Sequence, residues 1–213
     1  MTFMSVPKLN EALSRAERHA PHLRQLMGQH IAVRDLLAAG DLNAALALPD
    51  RDYDPDMPVG QALRRAKGQL ALAVAIGDLS GVLDLEGVTL ALSDFADTAL
   101  DRAIAAAISE YQPGAPAIGL AAIALGKHGS RELNYSSDID PILIFDPETL
   151  PRRTRDEPVE AAVRMGRRIV ELMQARTEHG YVFRIDLRLR PTPEVTPIVM
   201  PVDAAITYYE SQA

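Results

Sequence analysis

Two carboxylates one residue apart, Asp138 and Asp140 in "NYSSDIDPILIFD", stand at the head of an apolar run. They repel each other at neutral pH, and folding alone has no need of both. On an extended chain, residues two apart point to one face, so a strand beginning here projects both carboxylates the same way. Hard divalent cations take several oxygen ligands, and an acid pair with phosphate oxygens supplies them. A third acid lies in "VFRIDLRLRP", whose alternation predicts a strand with Phe183, Ile185, Leu187 and Leu189 on one face. Arg184, Asp186, Arg188 and Arg190 would share the other face, a floor for anions and a metal. A solvated sheet face laced with ion pairs would give the same alternation. Joined, Asp138, Asp140 and Asp186 would complete a two-metal arrangement, one ion helping to form an attacking oxyanion and the other stabilising a leaving oxygen.

Upstream, "GKHGS" places Lys127, Gly129 and Ser130 directly after an apolar run. Glycine lets a backbone approach a phosphate closely, and free N–H groups at a helix start would hold it. Ser136 and Ser137, just before the acids, could bind phosphate or cap a turn, and capping is the simpler role. Other motifs fail. The lysine of "GKHGS" stands in the wrong place for a Walker loop, and a calcium loop would need a polar ligand at Ile142 and a glycine at Leu143. A glycosyltransferase-type acid pair leaves the glycine-serine turn without a role. His19, His22 and His30 have no accompanying ligands in a metal spacing and read as surface histidines. His128 sits inside the motif, either near a nucleotide or as a loop residue without chemistry. "RRTRDE" at 152–157 reads as a solvated loop.

Positioning these residues requires two kinds of architecture. Residues 1–113 read as a helical module. "PKLNEALSRAERHA" and "HLRQLMGQHIAVRDLLAAG" carry helical spacing up to a stop at Gly40, and "LPDRDYDPDMP" at 48–58 reads as a break. Pro58 suits the first turn of a long helix, and residues 85–112 continue the helical pattern. "PGAP" at 113–116 marks the boundary. Residues 114–213 then read as an α/β half cut short at its C-terminal end. "AIGLAAIALG" and "PILIF" look like strands buried on both faces, and "EPVEAAVRMGRRIVELMQARTEHG" like a helix stopped by Gly180. "VDAAITYYESQA" starts a helix. The fold class is α+β: a helical module followed by a mixed sheet of three or more strands flanked by helices.

Composition narrows the function. The 213 residues are 47% hydrophobic, enough for a globular core, and the net charge of −7 argues against a broad nucleic-acid surface. With no cysteine there are no disulfides or thiolate metal sites, and the expected setting is cytoplasmic. The longest apolar stretch falls well short of the roughly 20 residues a bilayer demands, so no membrane partner is expected.

The glycine-serine turn, the acid pair that follows it and the later aspartate resemble the polymerase-β-like nucleotidyltransferase superfamily. Within it, "GKHGSRELNYSSDIDPILIF" with "VFRIDLRLRP" is similar to the bifunctional glutamine synthetase adenylyltransferase family, whose pattern is close to G-K-x-G-G-R-E-L-N-x-S-S-D-I-D-L-I. The resemblance covers most of residues 60–213. It implies an enzyme with two related halves, one removing AMP from glutamine synthetase by phosphorolysis and one attaching it from ATP. "VFRIDLRLRP" and "YYESQA" look more like the removing half, Met1 reads as an initiator, and the chain reads as a fragment of a longer protein. It ends before the tryptophan-containing segment that usually follows the paired tyrosines matched by Tyr208 and Tyr209.

The resemblance also implies magnesium, two ions, at Asp138, Asp140 and Asp186. It implies ATP, ADP and inorganic phosphate as substrates or products, held by Lys127, Gly129, Ser130, Ser137, Arg188 and Arg190. The implied partners are glutamine synthetase and a PII-type signalling protein. A non-catalytic nucleotide-binding or regulatory module of the same fold, or another nucleotidyl transfer, is the alternative. Two departures stand out. Ser130 replaces a glycine, and Pro141 stands where the family has an apolar strand residue, which implies an edge position or a local irregularity.

Overall fold

A computed structural model describes residues 5–212; Met1 and the last residue of the C-terminal helix pattern, Ala213, lie outside the described residues. Two compact units divide at Phe95 and Ala96.

The first unit is helical. α1 (Ser5–His19) buries Leu9, Ala12, Leu13 and Ala16, the one-sided spacing of an amphipathic helix. "HLRQLMGQHIAVRDLLAAG" forms two helices instead of one continuous run: α2 (Pro21–Gln29) opens on a proline, and His30 leaves helical geometry before α3 (Ile31–Ala38). Gly40, at φ +86°, ends α3 as expected, its N–H bonding Leu37 O while Asp41 N–H reaches back to Leu36 O. The expected break at 48–58 starts later, because α4 (Leu42–Arg51) runs through Pro49. Its start is fixed by Asp41, whose carboxylate accepts Ala44 N–H at 2.9 Å. α5 (Val59–Leu79) begins immediately after Pro58. Leu9, Leu37, Leu42, Leu72 and Ile76 lie in one apolar cluster.

α6 (Leu85–Tyr111) crosses the division. The helical period persists to Tyr111, but side chains of its second half bind the second unit: Glu110 pairs with Arg168, and Tyr111 Oη donates to Asp156. Local periodicity and tertiary packing therefore place the boundary differently.

The second unit carries a three-stranded mixed sheet in the order β1-β2-β3. β1 (Leu120–Leu125) leads through a single helical turn, α7 (Gly126–Gly129), towards β2 (Asp140–Phe145). β1 pairs antiparallel with β2, Leu125 opposite Asp140 and Leu120 opposite Phe145. α8 (Pro158–Gln174) follows, then β3 (Val199–Pro201), parallel to β2 from Leu143, and α9 (Val202–Gln212). Central β2 buries Pro141, Ile142, Leu143 and Phe145. β1 departs from the expected double burial: it is an edge strand, and Ala121 and Ile123 are exposed.

Two expectations near the C-terminus are overturned. Gly180 does not cap α8, which ends before Ala175; at φ +81° it closes a tight turn, exchanging two backbone hydrogen bonds with Thr177. "VFRIDLRLRP" is not a strand. Its sheet-like contact is one parallel pairing, Ile139 with Ile185, and Leu189 is exposed. The cause is local: Asp186 Oδ1 accepts Arg188 N–H at 2.9 Å, folding the chain into an aspartate turn, and Pro191 and Pro193 follow. Among the described residues, no helix is long and apolar enough to cross a membrane.

Candidate active site

The two acid-bearing segments meet at the Ile139–Ile185 pairing. Ile139 N–H donates to Arg184 O at 3.0 Å, and Asp186 N–H donates to Ile139 O at 2.9 Å. Ile139 is fully buried, so the flanking Asp138 and Asp140 turn to the opposite face, beside Arg184 and Asp186. All three acids therefore come together from two stretches of chain, although the second stretch is a turn. Pro141 fits the same register. Ile139 aims its backbone polar groups at the 184–186 segment, so by alternation Pro141 faces that side too, before β3 begins pairing at Leu143. Its missing N–H falls in a gap of the ladder, the locally edge-like position its residue type demands.

The electrostatics record the crowding. Burial pushes the Asp140 carboxyl above the usual carboxylate range, and the negative charges of Asp186 and Asp138 push it further. Arg188 and His128 partly oppose this rise. Asp186, only 19% exposed, is held below the ordinary range by the Arg188 side chain and backbone N–H. Arg188 grips both Asp186 oxygens, yet its side chain is 85% exposed. Arg184 Nε donates to Asp138 Oδ1, while Nη2 donates to Ser136 O at 2.7 Å and Nη1 to Tyr181 Oη at 3.0 Å. Among the described residues, no three His, Cys, Asp or Glu side chains are gathered tightly enough to hold a metal ion as they stand. The donor chemistry nevertheless fits a divalent cation. Three oxygen-bearing acids share one face, their charges penalise Asp140, and cationic arginines already neutralise the other two.

The glycine-serine turn abuts this cluster. Gly126 has φ +55°, and a Cβ there would lie 2.6 Å from Asp140 Oδ2. A Cβ on Gly129 would lie 2.5 Å from Ala124 O. Both glycines are thus required by close approach. Ser130 Oγ lies 3.2 Å from Gly126 O and 3.1 Å from Glu132 Oε2. Lys127 is exposed.

Ser137 takes the turn-capping role: its Oγ accepts Asn134 N–H at 3.0 Å. The guanidinium of Arg190 donates to the carbonyls of Leu187 and Pro193, both at 2.6 Å, and so fastens its own loop. That leaves Arg188 the more accessible of the two for an incoming anion. His30 sits in the helical unit, its Nε2 2.3 Å from where a Cβ on Gly68 would stand, and with His19 and His22 it forms no metal group among the described residues.

Three features escaped the sequence reading. Gly126 was signalled by the motif, but its need came from the Asp140 carboxylate on the neighbouring strand. Arg184 was placed on the acid face without a contact to assign. His128 is buried, and its Nε2 lies 2.8 Å from Asp97 Oδ1 on α6, a pairing no local pattern announces.

The family model described as glutamate-ammonia ligase adenylyltransferase matches residues 11–213. A bifunctional glutamine synthetase adenylyltransferase/adenylyl-removing enzyme from Caulobacter vibrioides is 47% identical over 188 residues, 83% of this chain and 18% of that protein. Those so named from Xanthobacter autotrophicus and Rhizobium meliloti are 44% and 38% identical, across 72% and 99% of this chain. These alignments take in 17% and 21% of the two proteins. The chain thus spans about a fifth of the length of the curated relatives it matches. Because the family match runs through both units and takes in the turn and all three acids, this chain belongs to the glutamate-ammonia ligase adenylyltransferase family.

Proposed function

We propose that this chain carries a nucleotidyl-transfer centre acting on glutamine synthetase, and that its reaction is removal of AMP from a modified tyrosine. The observation that carries this reading is the meeting of Asp138, Asp140 and Asp186 at the Ile139–Ile185 pairing, with Asp140 penalised by its two neighbours. An oxygen of inorganic phosphate attacks the AMP phosphorus, the bond from phosphorus to the tyrosyl oxygen breaks, and ADP and a free tyrosine result. The proton of hydrogen phosphate ends on the phenol, whose pKa of about 10 makes it a tolerable leaving group.

Asp138, Asp140 and Asp186 would hold magnesium, two ions in this reading, which when bound would screen the acids and draw charge from the reacting phosphate oxygens. Gly129 and Ser130 would fix phosphate oxygens through backbone and hydroxyl donors, with Lys127 close by. Arg188 would leave Asp186 to grip the incoming phosphate, since its guanidinium fork matches phosphate geometry. Arg190 would keep the loop that carries it in shape. In the whole protein, ATP-dependent attachment would occupy a related second half. A PII-type signalling protein would set the balance between the two reactions in the cytoplasm.

The occupation of Asp138 and Asp186 by Arg184 and Arg188 favours a second reading, a nucleotide-binding module that turns nothing over. One experiment separates them. The intact protein, given AMP-bearing glutamine synthetase, magnesium and inorganic phosphate, is expected to form ADP in step with loss of the AMP group. An Asp186→Ala variant should do neither. Magnesium-dependent nucleotide binding by wild type without any ADP would establish the second reading.

A further inference from the structure

Asp97 lies on α6, 31 residues upstream of His128 and outside every motif considered above. Its carboxylate meets the glycine-serine turn twice. Oδ1 accepts the Nε2–H of His128 at 2.8 Å, and Oδ2 stands 3.5 Å from Arg131 Nη1. His128 is the buried end of this contact, its side chain 1% exposed, whereas Asp97 is 51% exposed. Beyond its influence on the Asp140 carboxyl, what a histidine adds here over an apolar side chain is the bond to Asp97. Its Nδ1 is buried with no hydrogen-bond partner, a cost that apolar packing would avoid.

The segment held in this way is constrained on its other sides as well. A Cβ on Gly126 would collide with the Asp140 carboxylate and one on Gly129 with the Ala124 carbonyl, so neither position leaves room for a side chain. Arg131 takes a left-handed backbone, φ +61°, unusual for a residue with a side chain. Arg131 N–H donates to His128 O at 3.1 Å, and Glu132 N–H to Lys127 O at 2.7 Å, so the turn closes on itself at the point Asp97 grips. Exposed ion pairs such as the one with Arg131 contribute little to stability. Their value lies in orientation, and two grips on one carboxylate set both the place and the rotation of the turn.

We infer that Asp97 is a positioning residue for phosphate binding: through His128 and Arg131 it holds the Gly126–Arg131 turn where an incoming phosphate is received. This rests on the adenylyl-removing reading above, and Asp97 itself touches no reacting group.

The test uses the intact protein. Asp97→Asn is expected to raise the KM for inorganic phosphate in AMP release about tenfold while kcat stays within about threefold, the pattern of lost substrate positioning. Asp97→Glu should recover at least half of the lost kcat/KM. His128→Leu should reproduce the defect, and adding Asp97→Asn to it should cost nothing more. Manganese binding at the acids and the unfolding midpoint should match wild type. An unchanged KM in Asp97→Asn overturns the inference. So does a joint fall in kcat, metal binding and unfolding midpoint that glutamate does not rescue, since that is a plain structural role.

If wild type releases no AMP, the parent reading fails separately. The inference is then decided by calorimetric titration with inorganic phosphate alone. Weaker binding by Asp97→Asn supports it, and equal binding, or none by wild type, overturns it.

Discussion

Asp140→Asn is expected to lower phosphate-dependent AMP release by about a thousandfold or more, while ATP-dependent attachment by the intact protein persists. Asparagine keeps the shape and removes the charge. Loss of attachment alone would instead assign this half to the forward reaction. The same substitution carries a prediction of opposite sign for stability. Burial, then the charges of Asp186 and Asp138, hold the folded-state pKa of Asp140 above its unfolded value. Ionised Asp140 is therefore a cost to the fold, present in full above the folded pKa and relieved as pH falls through it. In divalent-free buffer at neutral pH, Asp140→Asn should melt at a higher temperature than wild type. Added magnesium should raise the wild-type midpoint by binding the native state and leave the variant's nearly unchanged. Calorimetry with and without magnesium reads both signs. A variant that melts lower in both buffers would show that Asp140 serves the fold and not the site.

Gly126→Ala is the second large effect, from a residue with no functional group. Its φ of +55° lies in the left-handed region, where a Cβ costs about 1–2 kcal/mol. The added carbon would also stand 2.6 Å from Asp140 Oδ2, so either the carboxylate or the turn must shift. A displacement near 1 Å at a reacting centre is worth about a hundredfold in rate. The expected result is a loss of that order in kcat for AMP release, with only a modest drop in unfolding midpoint. If alanine instead unfolds the chain, Gly126 is a folding residue first. If it leaves the rate unchanged, Asp140 does not need its present position.

The contrast between these residues shows what the sequence makes legible. Asp138 and Asp140 could be paired by eye because a two-residue spacing on a strand is a local fact, and β2 does begin at Asp140. α5, α6 and α8 were readable for the same reason, their apolar period being internal to each helix. Asp186 does lie beside the acid pair, but not on the strand that its alternation suggested. The alternation promised a strand, whereas a side chain-to-backbone bond at Arg188 and two prolines turn the chain.

Side-chain partners at long range had no such signal. Arg190 looked like a phosphate ligand by type, yet its guanidinium is spent on carbonyls of its own loop. β3 is three residues long, too short for a period to register. The Asp97–His128 contact bridges 31 residues, and only the fold brings its two ends together.

The most direct test of the central claim is anomalous scattering from crystals grown with manganese and ADP. The account predicts ordered metal within ligand distance of Asp138, Asp140 and Asp186, with Arg188 swung off Asp186 towards a phosphate group. Crystals in which manganese binds elsewhere, or in which nucleotide binds while Arg188 still holds Asp186 and no metal touches the three acids, would contradict it.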